Sequence, residues 1–423
     1  MTRPRAVVVV TGSELVRGER TDLNGPYVAR EVLSLGLEPA RILIVGDSPD
    51  ELSQALVEGL RADLCVVSGG LGPTHDDRTV EMLAQVTGRP LAVDAALEEE
   101  IGELSRTFAA RLGRPYADFE PGVRKQASLP EGAASLGLAG TAPGILLEHE
   151  GVVVVVLPGP PRELQRLWPN ALETEPFRHL LARTTPPGRR ILRFFGSSES
   201  AVAKALADAG GDGDGVEATI CARDFEIHID LVVDPEAEKR ADALTARLLE
   251  PLGRTLFSRD ERPVEELVLE LCRLRGLTLG TAESCTGGMV AARLTGIAGS
   301  SEVFRGGVVA YGDEVKQTEL GVREELLRER GAVSAEVAQA MSRGARERLD
   351  VDVAVAITGV AGPGGGTPEK PVGLVHLHAS SPDGERAVEF NLRGDRETIR
   401  RRATVTALHL VRRLLSQNGH SPV

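Results

Sequence analysis

Aromatic side chains are scarce, at 3% of the 423 residues. Proteins that hold single-stranded nucleic acid need aromatic platforms for base stacking, so that class is disfavoured. Cysteine is also sparse. Cys65, Cys221, Cys272 and Cys285 lie far apart and form no CxxC pair. That spacing fails both a disulfide scaffold and a zinc knuckle, and a reducing, cytoplasmic setting is expected. No apolar run nears the ~20 residues of a membrane helix. The longest apolar strand pattern, 152–157, stops at Pro158-Gly159-Pro160-Pro161. The apolar run at 6–10 is too short for a signal peptide. Lysine is the scarcest charge: 44 of the 49 basic residues are Arg, leaving Lys125, Lys204, Lys239, Lys316 and Lys370. GC-rich coding or thermal adaptation accounts for such a bias. Yet only Lys loses its proton readily when buried, so each of the five is worth questioning.

Acidic residues outnumber basic ones, for a net charge of −13. This argues against a broad nucleic-acid or anionic-membrane surface, so an anionic ligand needs a local device. The hydrophobic fraction, 42%, is enough for real cores and excludes global disorder. The length implies roughly two to four domains.

Residues 1–172 alternate strand and helix patterns. Strands are expected at 6–10, 41–45, 63–68 and 151–157, and helices at 23–35 and after Ser48-Pro49-Asp50-Glu51, a cap-and-proline start. Such alternation implies a parallel sheet with helices on both faces. Its ligands sit outside the carboxyl ends of the strands. Residues 173–258 form a second segment, entered through a linker at 184–188 and reading strand, helix, strand, strand, helix, strand. Its negative balance favours a scaffold over an RNA-binding role. Residues 260–418 form a further α/β unit with helices near 263–275, 288–294, 335–349 and 395–415. Its strands fall near 277–281, 304–310, 351–357, 372–379 and 386–391. The tail 416–423 is expected to fray.

Thr281-Ala282-Glu283-Ser284-Cys285-Thr286-Gly287-Gly288 joins a strand to a helix. A hydroxyl or thiol there meets the free N–H groups of a helix start, which can hold a phosphate or an oxyanion. Plain capping by Ser or Thr is the alternative. Ser284 needs a base. His376 and His378 alternate along one strand and fit packing or surface roles; His409 and the tail's His420 are the other two. Lys316 lies just past a strand end and could act as base once desolvated. Cys285 is an alternative nucleophile, or a small packing residue. The glycine-rich run 359–367 follows a strand and suits close contact with an anionic or planar ligand, or is simply a flexible loop. Asp395 reads as the cap of the last helix. Arg400, in its first turns, could clamp a phosphate unless ion-paired.

Four ordered motifs now stand in sequence: 282–288 (AESCTGG), Tyr311 with Lys316, 362–370 (GPGGGTPEK) and 394–400 (GDRETIR). Together they resemble the carboxy-terminal domain of the CinA family, the nicotinamide mononucleotide deamidase also called PncC. The resemblance implies hydrolysis of the nicotinamide carboxamide to nicotinic acid mononucleotide and ammonia, with no cofactor. It places the nucleophile on Ser284, the base on Lys316 and the substrate Arg on Arg400. Thr286, Gly287, Gly288, Tyr311, Gly362, Gly364 and Gly365 match its binding elements.

In the first unit, 68–77 (SGGLGPTHDD) puts Gly69, Gly70 and Gly72 after a strand, where they suit a phosphate nest. Asp76 and Asp77 could hold a divalent cation across a pyrophosphate, or start a helix. His75 reads as incidental. This block, with 11–15, Gly18, Asp22, Asn24, 124–127, 140–144 and 157–163, resembles the MoaB/Mog-like domain that opens CinA proteins. The resemblance implies an ADP-ribose pyrophosphatase using Mg, Mn or Co, with a KH-like middle domain as connector and dimer surface. It implies a cytoplasmic homodimer with nicotinamide mononucleotide and ADP-ribose as ligands, and neither direct nucleic-acid nor membrane binding. Two other readings stay open: a molybdopterin-processing nucleotidyltransferase, by analogy with the first domain, and a non-catalytic nucleotide-binding role linked to competence.

Overall fold

The computed structural model describes residues 3–416, which divide after Gly188 into two compact units. The expected fraying of the tail falls, beyond Ser416, outside the described residues.

The first unit is built on a six-stranded sheet. Its order is Glu38–Val45, Arg5–Thr11, Leu64–Ser68, Val152–Leu157, Pro143–His149, Ala134–Leu138. The central strands are Val-rich because both of their faces are covered, which removes the need for polar alternation. Val7, Val9, Cys65, Val67, Val154 and Val156 pack on one side with Leu52, Leu56, Leu83 and Ile101. Val8, Val10, Val66, Val153 and Val155 face the other side, with Val28, Val32, Leu164, Trp168 and Phe177. Each fully buried side chain of this size contributes about 1.5–3 kcal/mol.

The first four strands in that order run parallel; Pro143–His149 is antiparallel to both of its neighbours, so Ala134–Leu138 points the same way as the first four. The expected parallel sheet is thus present, and two strands that were not expected extend it through antiparallel pairings. Both extra strands lie among Gly137, Gly140 and Gly144, which break the apolar pattern that a strand otherwise shows. Ser48 precedes the helix Pro49–Gly59 as expected, but its side chain makes no cap bond.

The second unit holds two sheets. The first has the order Val216–Arg223, Glu226–Val233, Gly188–Phe194, Leu256–Ser258, with the helices Glu199–Asp208 and Glu238–Leu252. This β-α-β-β-α-β succession follows the expected element order. It is a ferredoxin-like, split-βαβ topology rather than a distinctive KH-like one. The second sheet has the order Phe304–Val309, Leu279–Glu283, Val353–Gly359, Leu374–Ser381, Gly384–Asn391. Its first three strands are parallel, and Leu374–Ser381 is antiparallel to both of its neighbours. The helices Ala335–Leu349 and Arg396–Ser416 contribute to the cores of this α/β layer structure. Two helices, Asp313–Leu320 and Glu324–Arg330, were not expected, and Lys316 lies on the first. No described helix is long and apolar enough to cross a membrane, and none of the four cysteines is in a disulfide.

A buried polar contact joins these two sheets. His409, fully buried on the last helix, stacks on Phe195 with centroids 3.7 Å apart, and its Nε2 lies 2.7 Å from Glu226 Oε1. Burial pushes the His409 imidazole down to about 4, against the opposing pull of Glu226; Arg412 and Arg413 lower it further. Burial also pushes the Glu226 carboxyl up, but the hydrogen bonds of His228 and His409 win and hold it at about 2. Both folded values lie below the unfolded ones, so both groups stabilise the fold at neutral pH. The His409 contribution is complete above about 6.5 and is lost as pH falls towards 4; that of Glu226 is lost only below about 4.3. Thermal melting of the full chain should show up to about 3 kcal/mol of acid destabilisation starting near pH 6.5. In His409→Gln, which donates to Glu226 without titrating, the slope between about pH 6.5 and 4.5 should flatten. An unchanged slope would assign the effect to other groups.

Candidate functional sites

In the second unit, three parallel strands end level with one another. Glu283 is in register with Val309 on one side and Ile357 on the other. The turn after Glu283, the loop at 310–312 and the loop after Gly359 therefore leave the sheet at one edge. Backbone bonds tie them: Ser284 N donates to Ile357 O at 2.9 Å, and Ala310 N donates to Glu283 O at 2.8 Å. Ser284 and Lys316 are thus brought to the same edge.

Lys316 is 1% exposed and is the only buried lysine among the described residues. Its Nζ donates to Tyr311 O and Asp313 Oδ1, each at 3.2 Å, and to Gly312 O at 3.5 Å. Ser284 is 9% exposed and Thr286 is fully buried, with its hydroxyl lacking a partner. Such a hydroxyl costs free energy unless a ligand or water completes it. Cys285 is a poor thiolate: burial, ahead of the opposing backbone hydrogen bond and Arg400, pushes it up to about 11.

The helix start is not free, which corrects one expectation. The buried Glu283 carboxylate accepts from Gly288 N at 3.0 Å, Val290 N at 3.1 Å and Ala291 N at 2.9 Å. The protein's own anion thus occupies the first turn of Met289–Thr295. Neither a phosphate nor an oxyanion can use those donors, and Gly288 loses the backbone binding role given to it. Gly287, at φ 62, closes the turn by donating to Ser284 O at 3.1 Å.

Arg400 also differs from its expected role. Its Nε donates to Cys285 O at 3.0 Å and its Nη2 to Thr286 O at 2.8 Å. It braces the turn, and two of its donor groups are unavailable to a phosphate. The neighbouring Arg396 bridges the other two loops, from Gly362 O (2.7 Å) to the Tyr311 hydroxyl (3.1 Å). Tyr311 itself is 62% exposed. Gly362 is buried under this bridge, whereas Gly364 and Gly365 lie in an exposed stretch. Asp395 caps the last helix as expected, accepting from Thr398 N at 2.8 Å. His376 and His378 are buried packing residues, both pushed down by burial. Glu283, Arg396 and Asp313 went unassigned in the sequence. The first two sit inside the quoted motifs, which was the available signal.

In the first unit, a cavity of about 370 Å³ opens at the carboxyl edge of the sheet and is lined by Gly69, Gly70, Gly72, Asp76 and Asp77, as expected. Gly69, at φ 105, is obligatory, since a Cβ there would stand 2.6 Å from Thr11 O. Glu14, Asp47 and Glu163 also line the cavity, and no Lys or Arg does. Burial raises the Glu163 carboxyl. A diphosphate entering this acidic space needs a cation, and a hard divalent ion bound through one or two carboxylates and the ligand's own oxygens suits the donor set. Asp76 is exposed, its carboxyl lowered chiefly by the Thr74 hydroxyl. Asp77 is already engaged by Thr74, accepting from its N at 2.9 Å and from its hydroxyl. His75 is exposed, in keeping with an incidental role.

Asp22 and Asn24 are not on this cavity. They line a neighbouring one of about 440 Å³ that shares Thr11, Glu14, Gly159 and Pro160 with it. Their visible work is structural. Asp22 accepts from Asn24 N (2.8 Å) and Gly25 N, starting the helix Asn24–Ser34. The Asn24 amide donates to Ser68 Oγ at 2.9 Å and Gly159 O at 2.7 Å, pinning two loops together. Asp47 was missed: it accepts from Thr11 Oγ1 and from the Ser13 backbone and hydroxyl.

Comparison with known proteins follows the same division. Residues 261–415 match the family described as CinA C-terminal domain, and residues 7–177 match a probable molybdopterin binding domain. A CinA-like protein of Mycolicibacterium paratuberculosis is 44% identical over 430 residues, covering 97% of this chain and 98% of that protein. A CinA-like protein of Mycobacterium tuberculosis is 42% identical, covering 99% of each. A solved competence/damage inducible protein from Agrobacterium tumefaciens is 43% identical, covering 38% of this chain and 99% of that one, with a TM-score of 0.36.

Proposed function

The chain belongs to the family of CinA-like proteins, and on that premise we propose that it is a cytoplasmic, bifunctional enzyme of pyridine-nucleotide recycling. The second unit would deamidate nicotinamide mononucleotide. The observation that carries this reading is the buried Lys316 on the same sheet edge as Ser284. In the proposed reaction, Lys316 is the general base that takes the Ser284 proton. The Ser284 oxygen attacks the carboxamide carbon, and the C–N bond breaks as the nitrogen takes a proton and leaves as ammonia. Water then attacks the acyl-enzyme ester, releasing nicotinic acid mononucleotide and restoring Ser284. Thr286, with its unpartnered hydroxyl, and Arg396, at the junction of the two other loops, are suited to contacting the substrate.

The first unit would hydrolyse ADP-ribose. A divalent cation held by Asp76 and Asp77 would neutralise the pyrophosphate in the acidic cavity. Gly69, Gly70 and Gly72 give the ligand close backbone approach. Homodimerisation belongs to this proposal as well. A second reading, a molybdopterin-processing activity, is favoured by the match of residues 7–177 to a probable molybdopterin binding domain. Purified protein incubated with nicotinamide mononucleotide, and separately with ADP-ribose and Mg, Mn or Co, tests both halves through ammonia and phosphate-ester products. Asp76→Asn combined with Asp77→Asn should lower ADP-ribose hydrolysis by about a hundred-fold or more while ammonia release continues. Equal loss of both activities would show a general folding defect.

A further inference from the structure

A cavity of about 450 Å³ lies within the second unit, bordered by the ferredoxin-like sheet, the outermost strand Gly384–Asn391 and the helix Arg396–Ser416. Its size is that of sites for small organic ligands. It shares no lining residue with the turn at Ser284. Three of the protein's nine Phe line it: Phe195, Phe225 and Phe390. So do Arg386, Arg402 and Arg413, and no carboxylate does. In a chain of net charge −13 this is an isolated positive, aromatic space.

These arginines are not neutralised by the protein. None forms an ion pair among the described residues. Arg413 lies over the Phe195 ring at 5.4 Å and donates to Phe195 O at 3.2 Å; Arg402 lies 5.8 Å from the Phe225 centroid. Burial, and then the like charge of Arg386, lower Arg413. Arg386 has neither ring nor carboxylate partner among the described residues, so bracing alone does not explain it. Arg402 is exposed and Arg386 and Arg413 are half-buried, so three unpaired positive charges face this cavity and are open to an anion.

A second, independent feature points to the same place. Asp224 and Phe225 form the turn between two strands with φ of 50 and 64. Such a turn ordinarily takes Asn-Gly, and a bulky ring at positive φ is strained. Strain of this kind persists where it positions a functional group. Here it sets a 37% exposed aromatic ring in the cavity wall beneath Arg402, with Asp224 anchored by Arg401 at 2.9 Å.

We propose that this cavity is a binding site for a planar aromatic anion of nucleoside-monophosphate size. Its ring packs among the phenylalanines, and its phosphate lies against Arg386, Arg402 and Arg413. The site is separate from the proposed deamidase centre, and its occupant bridges two sheets of one unit.

Hydrogen–deuterium exchange on the full chain tests this, with adenosine 5′-monophosphate and 1-naphthyl phosphate as probes and inorganic phosphate for comparison. Either aromatic probe should slow exchange in 384–391 and 194–198 at concentrations where inorganic phosphate has little effect. Arg386→Glu, a substitution on an edge strand, should weaken that protection by about ten-fold or more in probe concentration. The proposal fails if neither probe protects these segments, if protection is confined to 1–188 or to the turn at 284–288, or if inorganic phosphate protects equally. It also fails if Arg386→Glu, with an unchanged melting temperature, keeps full protection.

Discussion

Ser284→Ala should release no measurable ammonia from nicotinamide mononucleotide, a loss of about a thousand-fold or more in kcat/KM. Nothing nearby substitutes for the hydroxyl. Cys285 is next in sequence, but burial leaves its thiol protonated at neutral pH, with a value of about 11. Lys316→Arg should be nearly as damaging, because a guanidinium keeps its proton and cannot serve as base. Lys316 is enclosed by Tyr311 O, Gly312 O and Asp313, so the larger guanidinium also meets a steric objection. Lys316→Met, of similar length and without charge, separates the two effects. It should also lose activity if the amine is the base. Circular dichroism and thermal melting identify any variant that has merely unfolded. A folded Ser284→Ala protein with full activity would sink the nucleophile assignment, and an active, folded Lys316→Met protein would remove Lys316 as base.

Glu283→Ala should lower stability by about 3–5 kcal/mol, with a fall of roughly 10 °C in the melting temperature of the second unit. The wild-type carboxylate accepts three backbone N–H groups at the start of Met289–Thr295. Alanine leaves the buried Val290 donor and the half-buried Gly288 and Ala291 donors without their acceptor, and an orphaned buried donor costs about 1–3 kcal/mol. Glu283→Gln should fall between wild type and alanine. Its carbonyl oxygen can still accept, but its amide group cannot accept from the remaining N–H. Because the turn at 284–288 hangs on this cap, kcat should fall in both variants even at temperatures where they are folded. Differential scanning calorimetry checks the order wild type, Gln, Ala. An unchanged melting temperature in Glu283→Ala would mean that Arg400 and the backbone bond from Ser284 to Ile357 suffice to hold the turn.

Much of the architecture was legible because it depends on local composition. Runs such as 6–10 and 152–157, rich in Val, have few options other than buried strands. The element order of 189–258 could be read from the same patterning. Among the pieces that escaped are those with broken patterns. The strands Ala134–Leu138 and Pro143–His149 of the first sheet are interrupted by glycines, and the short helices around Lys316 and after it carry mostly charged residues. The family-level motifs and the rarity of lysine single out the turn at 284–288, the loops at 310–312 and 359–367, and Lys316; in the structure these segments leave one sheet edge and Lys316 is buried.

The division of labour within the site was a different matter. Arg400 braces the carbonyls of Cys285 and Thr286 from more than a hundred residues away, with sequence separations of 115 and 114. Arg396, four residues earlier on the same helix, instead spans Gly362 and Tyr311. Both arginines occur in one short motif, and only their directions in space tell them apart. The same is true of Glu283, which reads as a strand-end residue until its carboxylate is seen turned into the next helix. Asp22 and Asn24 read only as ligand contacts, whereas the structure also gives them a helix start and two loops to hold while they line a cavity. By itself the sequence determined most of the buried strands and several of the helices, which family the motifs resemble and which residue types are present for chemistry, because those properties are local. Tertiary structure decided which donors and acceptors are already used by the protein and which are left for a ligand, because a hydrogen bond is settled by distance and direction between chain segments far apart in sequence.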